Sequence, residues 1–99
     1  MKFRVQINGL VFAVLIGGDF KASTFLLDEF WDRELREFVK GEFAAVIPAR
    51  DVLDFCDTRF AEGVVELQQV IDRVWPTGDH LISNKIYVRR PTGWQVRQS

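Results

Sequence analysis

Lys2-Phe3-Arg4-Val5-Gln6-Ile7-Asn8-Gly9-Leu10-Val11-Phe12-Ala13-Val14-Leu15-Ile16 is the stretch on which the reading of the fold turns. Phe3, Val5 and Ile7 alternate with Lys2, Arg4 and Gln6, the period-two pattern of a strand with one buried and one wet face. Asn8-Gly9 supplies residues that adopt positive φ at little cost in a tight hairpin turn, and Leu10 to Ile16 returns as a continuously apolar second strand. An apolar strand of that kind belongs inside a sheet. The stretch therefore predicts an antiparallel hairpin whose second strand takes a central position.

Outward from the hairpin, Gly17-Gly18-Asp19 breaks the strand, and Lys21 to Leu27 fits either a short strand or the first turn of a helix. Leu27, Trp31, Leu35 and Phe38 then recur at helical spacing with Phe30 and Val39 beside them, and Gly41 stands where a helix C-terminus favours glycine. The acids and bases between them, Glu29 with Arg33 and Asp32 with Arg36, fit i,i+4 pairs on a solvated face. Phe43 to Ile47 is an apolar strand candidate stopped by Pro48, which has no amide hydrogen for a ladder.

Asp51 to Asp57 admits two readings. As a strand it places Val52, Asp54 and Cys56 on one face and Leu53, Phe55 and Asp57 on the other; as a helical turn it groups Val52, Phe55 and Cys56. The strand is preferred. Phe60 to Trp75 carries the stripe Val64, Leu67, Val70, Ile71, Val74 and Trp75 of an amphipathic helix closed by Pro76. Lys85 to Arg89 alternates again, Arg90-Pro91-Thr92-Gly93 is a turn, and Trp94 to Arg97 is the last strand. The expected architecture is α+β: residues 1–99 as one domain, with a mostly antiparallel sheet of about five or six strands in the order ββα(β)βαββ. Two helices on one face of that sheet would cover every apolar stripe with the fewest layers.

Ninety-nine residues, 47% hydrophobic and with a net charge of −1, exclude disorder as the main state. Nine Phe, three Trp and one Tyr supply a core that needs neither disulfide nor metal. Leu10 to Ile16 is too short for a membrane-spanning helix, no secretory leader is visible after Met1, and Cys56 is the single cysteine. The expectation is a cytoplasmic chain with no membrane contact.

Chemistry-bearing residues are sparse. A thiol enzyme would need Cys56 and the single histidine, His80, in contact. No zinc spacing, phosphate-binding glycine loop or cofactor motif is present. Asp51, Asp54 and Asp57 read as a turn and cap cluster. The charges are uneven: residues 19–79 hold all fourteen acids, and none lies between Lys85 and Ser99. If Lys2, Arg4, Lys85, Arg89 and Arg97 shared one sheet face with Tyr87, that face would suit single-stranded nucleic acid. The plainer reading of these cations is a solvated sheet face protected against edge pairing.

Phe43-Ala44-Ala45-Val46-Ile47-Pro48-Ala49-Arg50-Asp51-Val52-Leu53 resembles the strand-Pro-x-Arg-Asp-hydrophobic segment of the bacterial YtpQ-like family. Asp19-Phe20-Lys21-Ala22-Ser23 and Gly78-Asp79-His80-Leu81-Ile82-Ser83, leading to Tyr87 and Gly93-Trp94, fit the same resemblance. It implies an α+β fold, a bacterial cytoplasmic origin and a match to the C-terminal part of longer members. The family has no assigned activity, so the resemblance implies no catalytic residue. Physically, Pro48 to Asp51 suits a structured corner, in which Arg50 can fork onto a carboxylate and Asp51 can accept backbone amides.

These observations favour a non-catalytic module that self-associates or docks on a protein partner, with Arg50, Asp51, Tyr87 and Trp94 as candidate binding residues. Trp94, Phe20 or Trp75 would serve as interface anchors. The alternatives are a small-ligand or thiol-dependent domain using Arg50, Asp51, Cys56 and His80, and nucleic-acid binding by the basic strands.

Overall fold

A computed structural model describes residues 3–16, 30–49, 52–76 and 83–97. β1 (Phe3–Asn8) and β2 (Val11–Ile16) form the expected hairpin, with Asn8 opposite Val11. The two-residue loop is thus Gly9-Leu10, one position later than Asn8-Gly9. Gly9 sits at φ +64°, where a side chain would be strained. The turn is tied to the rest of the molecule because the Leu10 amide donates to Glu66 Oε2 at 3.0 Å.

β3 (Phe43–Ala49) and β4 (Val52–Asp57) pair antiparallel, so residues 52–57 take the strand alternative. Pro48 does not stop β3. The register shifts between Val46 and Ala49, and Pro48 sits buried in that irregularity, where a missing amide hydrogen is tolerated. β5 (Ile86–Arg90) and β6 (Gly93–Val96) close the sheet, whose order is β1-β2-β4-β3-β5-β6, every neighbouring pair being antiparallel. β2 is an interior strand, as its apolar run requires.

α1 (Ala61–Val74) packs Val64, Leu67, Val70 and Ile71 on Ala44, Val46, Cys56 and Val88. Gly63 permits this close approach: a Cβ there would lie 3.2 Å from Cys56 Cβ. The opposite face carries Phe43, Ala45, Ile47, Leu53 and Phe55, and it is covered by Phe30, Trp31, Leu35 and Val39. The two helical segments therefore lie on opposite faces of the sheet rather than on one. The physical reason is that every side chain from Phe43 to Pro48 is buried, and successive strand residues point to opposite sides.

The segment expected to be a regular helix through Val39 winds differently where it is described. Phe30–Glu34 is a single π turn, with the Leu35 amide bonded to the Phe30 carbonyl at 3.1 Å, and Arg36–Phe38 is a 3₁₀ turn. A wide turn brings the adjacent Phe30 and Trp31 inward together. Trp31 then meets Phe43 and Trp94 at 4.9 Å and Phe55 at 5.7 Å, all edge-to-face. Burying that indole outweighs the modest propensity terms favouring an unbroken α-helix. Among the described residues no helix is long and apolar enough to cross a membrane.

Candidate functional site

The described residues among those singled out in the sequence divide between the two faces of the sheet, Cys56 and Trp75 on the α1 side and Tyr87 and Trp94 on the aromatic side. Arg50, Asp51, His80, Phe20 and Lys2 lie outside the described residues. Cys56 is fully buried beneath α1. Burial first, then the carboxylates of Asp57 and Glu66, push its thiol up to about 12, against a smaller downward pull from Arg97. A thiol held protonated and shut off from solvent is not an available nucleophile.

Tyr87 and Trp94 belong to the aromatic face. Tyr87 Oη shares a hydrogen bond of 2.8 Å with Ser83 Oγ, and its ring packs with the cluster around Trp31. Trp94 stands edge-on to Trp31 and is half-buried, so most of its surface completes the core. Trp75 is likewise half-buried, against the α1 face.

The basic strands do not form one platform. Arg4 lies on β1 and Arg97 just beyond β6, and these strands are the opposite edges of the sheet. Arg89 instead forks onto Asp32, at 2.7 and 3.3 Å, tying β5 to the π turn. Tyr87 is packed against the core, so among the described residues the stacking surface of the nucleic-acid alternative is not assembled.

Two aspartates of the turn-and-cap cluster separate as a strand dictates. Asp57 faces the start of β3. Its carboxylate accepts the amides of Lys40, Gly41 and Arg59 at 3.1, 3.2 and 2.9 Å, and Arg59 closes an ion pair at 2.9 Å. Burial alone would raise this acid, but the Arg59 guanidinium and the three amides outweigh it and bring it to about 2. Asp54 lies on the α1 face, in register with Ala13 on one side and Val46 on the other. Burial raises it to about 6, with only Arg73 pulling downward. Its place inside an apolar run is the sequence signal for this buried acid.

What remains accessible is the β1 edge. Among the described residues β1 has no strand on its outer side, and Ile7 is 63% exposed there. Leu15, opposite Arg4 in the hairpin and on the other face, is 41% exposed. No group of three His, Cys, Asp or Glu side chains among the described residues could hold a metal ion. Comparison with protein-family models, curated proteins and solved structures finds no match for this chain.

Proposed function

We propose that this chain is a non-catalytic interaction module that self-associates through the β1 edge. The observation that supports it is a strand at the edge of the described sheet with exposed apolar side chains beside it, Ile7 on β1 itself and Leu15 on the neighbouring β2. Such an edge is a template for strand addition. A second copy is the occupant because the sequence of β1 is complementary to itself in antiparallel register. Centred on Gln6, the pairing sets Val5 against Ile7 of the second copy on the aromatic face, and Arg4 against Asn8 on the other.

No acid or second cation opposes Arg4 in that register. The β6 edge is less suited to the same role, because its row is only four residues long and a cation, Arg97, directly adjoins it. A partner protein offering an extended segment is the other occupant the edge could take, and the YtpQ-like resemblance belongs to this reading only as a proposal about origin.

The test is light scattering on a sizing column at low and high micromolar concentration. A dimer fraction that rises with concentration and vanishes in Ile7→Lys, with an unchanged thermal melt, supports the proposal. A monomer at both concentrations, or a dimer indifferent to Ile7→Lys, overturns it. Ile7 is exposed, so the substitution leaves the core intact.

A further inference from the structure

The far edge of the sheet carries a second feature that the interaction reading does not use. At the end where β3 begins and β5 gives way to β6, Arg90 Nη1 meets Glu42 Oε1 at 2.5 Å, and both side chains are roughly half exposed. This ion pair is a shared wall between two clefts, one of about 210 Å³ and one of about 330 Å³. Arg36 and Arg89 line the smaller cleft, and Arg97 lines the larger.

The cations differ in how they are occupied. Arg89 is committed to Asp32. Arg36 donates to the Gly41 and Lys40 carbonyls at 3.2 and 3.4 Å and lies over the Phe43 ring at 5.7 Å, which fixes it in place without a carboxylate. Arg97 forms no ion pair with a carboxylate among the described residues. Its backbone is nevertheless anchored, since its amide donates to the Ile86 carbonyl at 2.7 Å. Two arginines and one carboxylate on its lining, the carboxylate paired with Arg90, leave excess positive charge in the larger cleft.

The remaining walls suit an anion carrying an organic group. The Thr58 hydroxyl and the Gln95 amide add neutral donors, and Val88, on the same sheet face as Gln95, adds an apolar floor. Guanidinium forks match phosphate oxygens bidentately. A volume of about 330 Å³ stands at the small end of small-molecule sites, which admits a phosphate with a compact substituent and excludes a wrapped polymer.

We propose that this cleft binds a small phosphate monoester, its dianionic group clamped between Arg90 and Arg97 and its organic part against Val88. Glu42 is then a gate: the ligand phosphate displaces it from Arg90. This gives the site a signature that a merely basic surface lacks, because removing the carboxylate should strengthen binding while removing either arginine should weaken it.

Phenyl phosphate is the probe, titrated at constant ionic strength and followed by amide chemical shifts and calorimetry, with inorganic phosphate and phenol as the two halves of the ligand. Shifts confined to residues around Thr58, Val88 and Gln95 to Arg97 are expected. Arg97→Gln and Arg90→Gln should each weaken binding roughly tenfold or more, and Glu42→Gln should tighten it several-fold. Inorganic phosphate should bind more weakly than phenyl phosphate, and phenol weaker still. All three side chains are at the surface, so each variant should keep the wild-type circular dichroism and melt. Failure to bind at millimolar probe, shifts that chloride reproduces, or a Glu42→Gln variant that binds no better would overturn the assignment. Because β1 is the opposite edge of the sheet, Ile7→Lys should leave this binding unchanged, and a monomeric result for the first proposal would not bear on it.

Discussion

Replacing Asp54 by Asn should stabilise the fold at neutral pH and remove a specific part of its pH dependence. Asp54 is 9% exposed, on a central strand between Ala13 and Val46, and its carboxyl is raised from 3.8 to about 6. Burial disfavours the charged form, and Arg73 relieves only part of that. A group whose folded pKa lies above its unfolded one opposes folding once the unfolded chain ionises. The penalty is absent well below pH 3.8, grows as pH rises, and is complete above about pH 6.

A carboxyl raised this far costs the fold about 3 kcal/mol at pH 7 and less than about 1 kcal/mol at pH 4. The Asn amide still has to be buried, which costs about 1–2 kcal/mol at any pH. The expected net gain in D54N is therefore about 1–2 kcal/mol at pH 7 and none at pH 4. The quantity that isolates the carboxyl is the change in the difference between the two proteins, about 2–3 kcal/mol across that range, because Asn does not titrate. Urea unfolding at pH 4, 5, 6 and 7 reads it as a divergence in midpoint of roughly 1 M. Wild-type and variant curves that stay parallel across those pH values would refute the reasoning, whatever their absolute separation.

Asp57 should behave with the opposite sign. Its pKa is depressed to about 2, so the stability it contributes is present above about pH 3.8 and is lost as pH falls through about 2. D57N should cost about 2 kcal/mol at pH 7, where the Arg59 pair and the charge-assisted amide bonds are lost, and much less at pH 2; paired thermal melts at the two pH values measure this. Cys56 should resist alkylation in the native protein at pH 8 and react at once in denaturant, since its thiol is both buried and raised to about 12. Rapid native labelling followed by mass spectrometry would show that the α1 layer opens far more readily than its packing implies.

Much of the fold is visible in local pattern. The alternation around Phe3, Val5 and Ile7, the stripe from Val64 to Ile71 and the glycines at positions 9 and 93 each specify backbone geometry within a few residues, and those elements stand where they are expected. The π turn at Phe30 is not visible, because the i,i+4 spacing of Trp31, Leu35 and Val39 is that of an ordinary helix. Only the demand that Phe30 and Trp31 face the same aromatic layer selects the wider winding. Pro48 misleads for a similar reason: it forbids one ladder bond, and whether that ends a strand or creates an irregularity depends on the neighbour beside it.

The placement of the helical layers is within reach of the sequence. Phe43 to Ile47 is apolar at every position, which requires cover on both sides of the strand, yet the economy of a two-layer arrangement points to one side. The candidate binding residues are a different case. Tyr87 and Trp94 stand out as aromatics near the chain's basic end, and the packing of Trp31 draws both toward the core. Arg90 and Arg97 belong to an acid-free segment, and nothing in that segment indicates that Glu42, forty-eight residues upstream of Arg90, lines the cleft they share.

The sequence by itself determined the antiparallel class, the two hairpins and the α1 stripe, because each follows from backbone period and residue type over short range. Tertiary structure alone decided that β2 pairs with β4, that β1 and β6 are the edges of the described sheet, that of two buried aspartates Asp57 is lined by amides while Asp54 sits between apolar neighbours, and that two arginine-lined clefts share one carboxylate. Those outcomes depend on which strand lies beside which and in what register. Register is a property of contacts distant in the chain, and no local spacing encodes it.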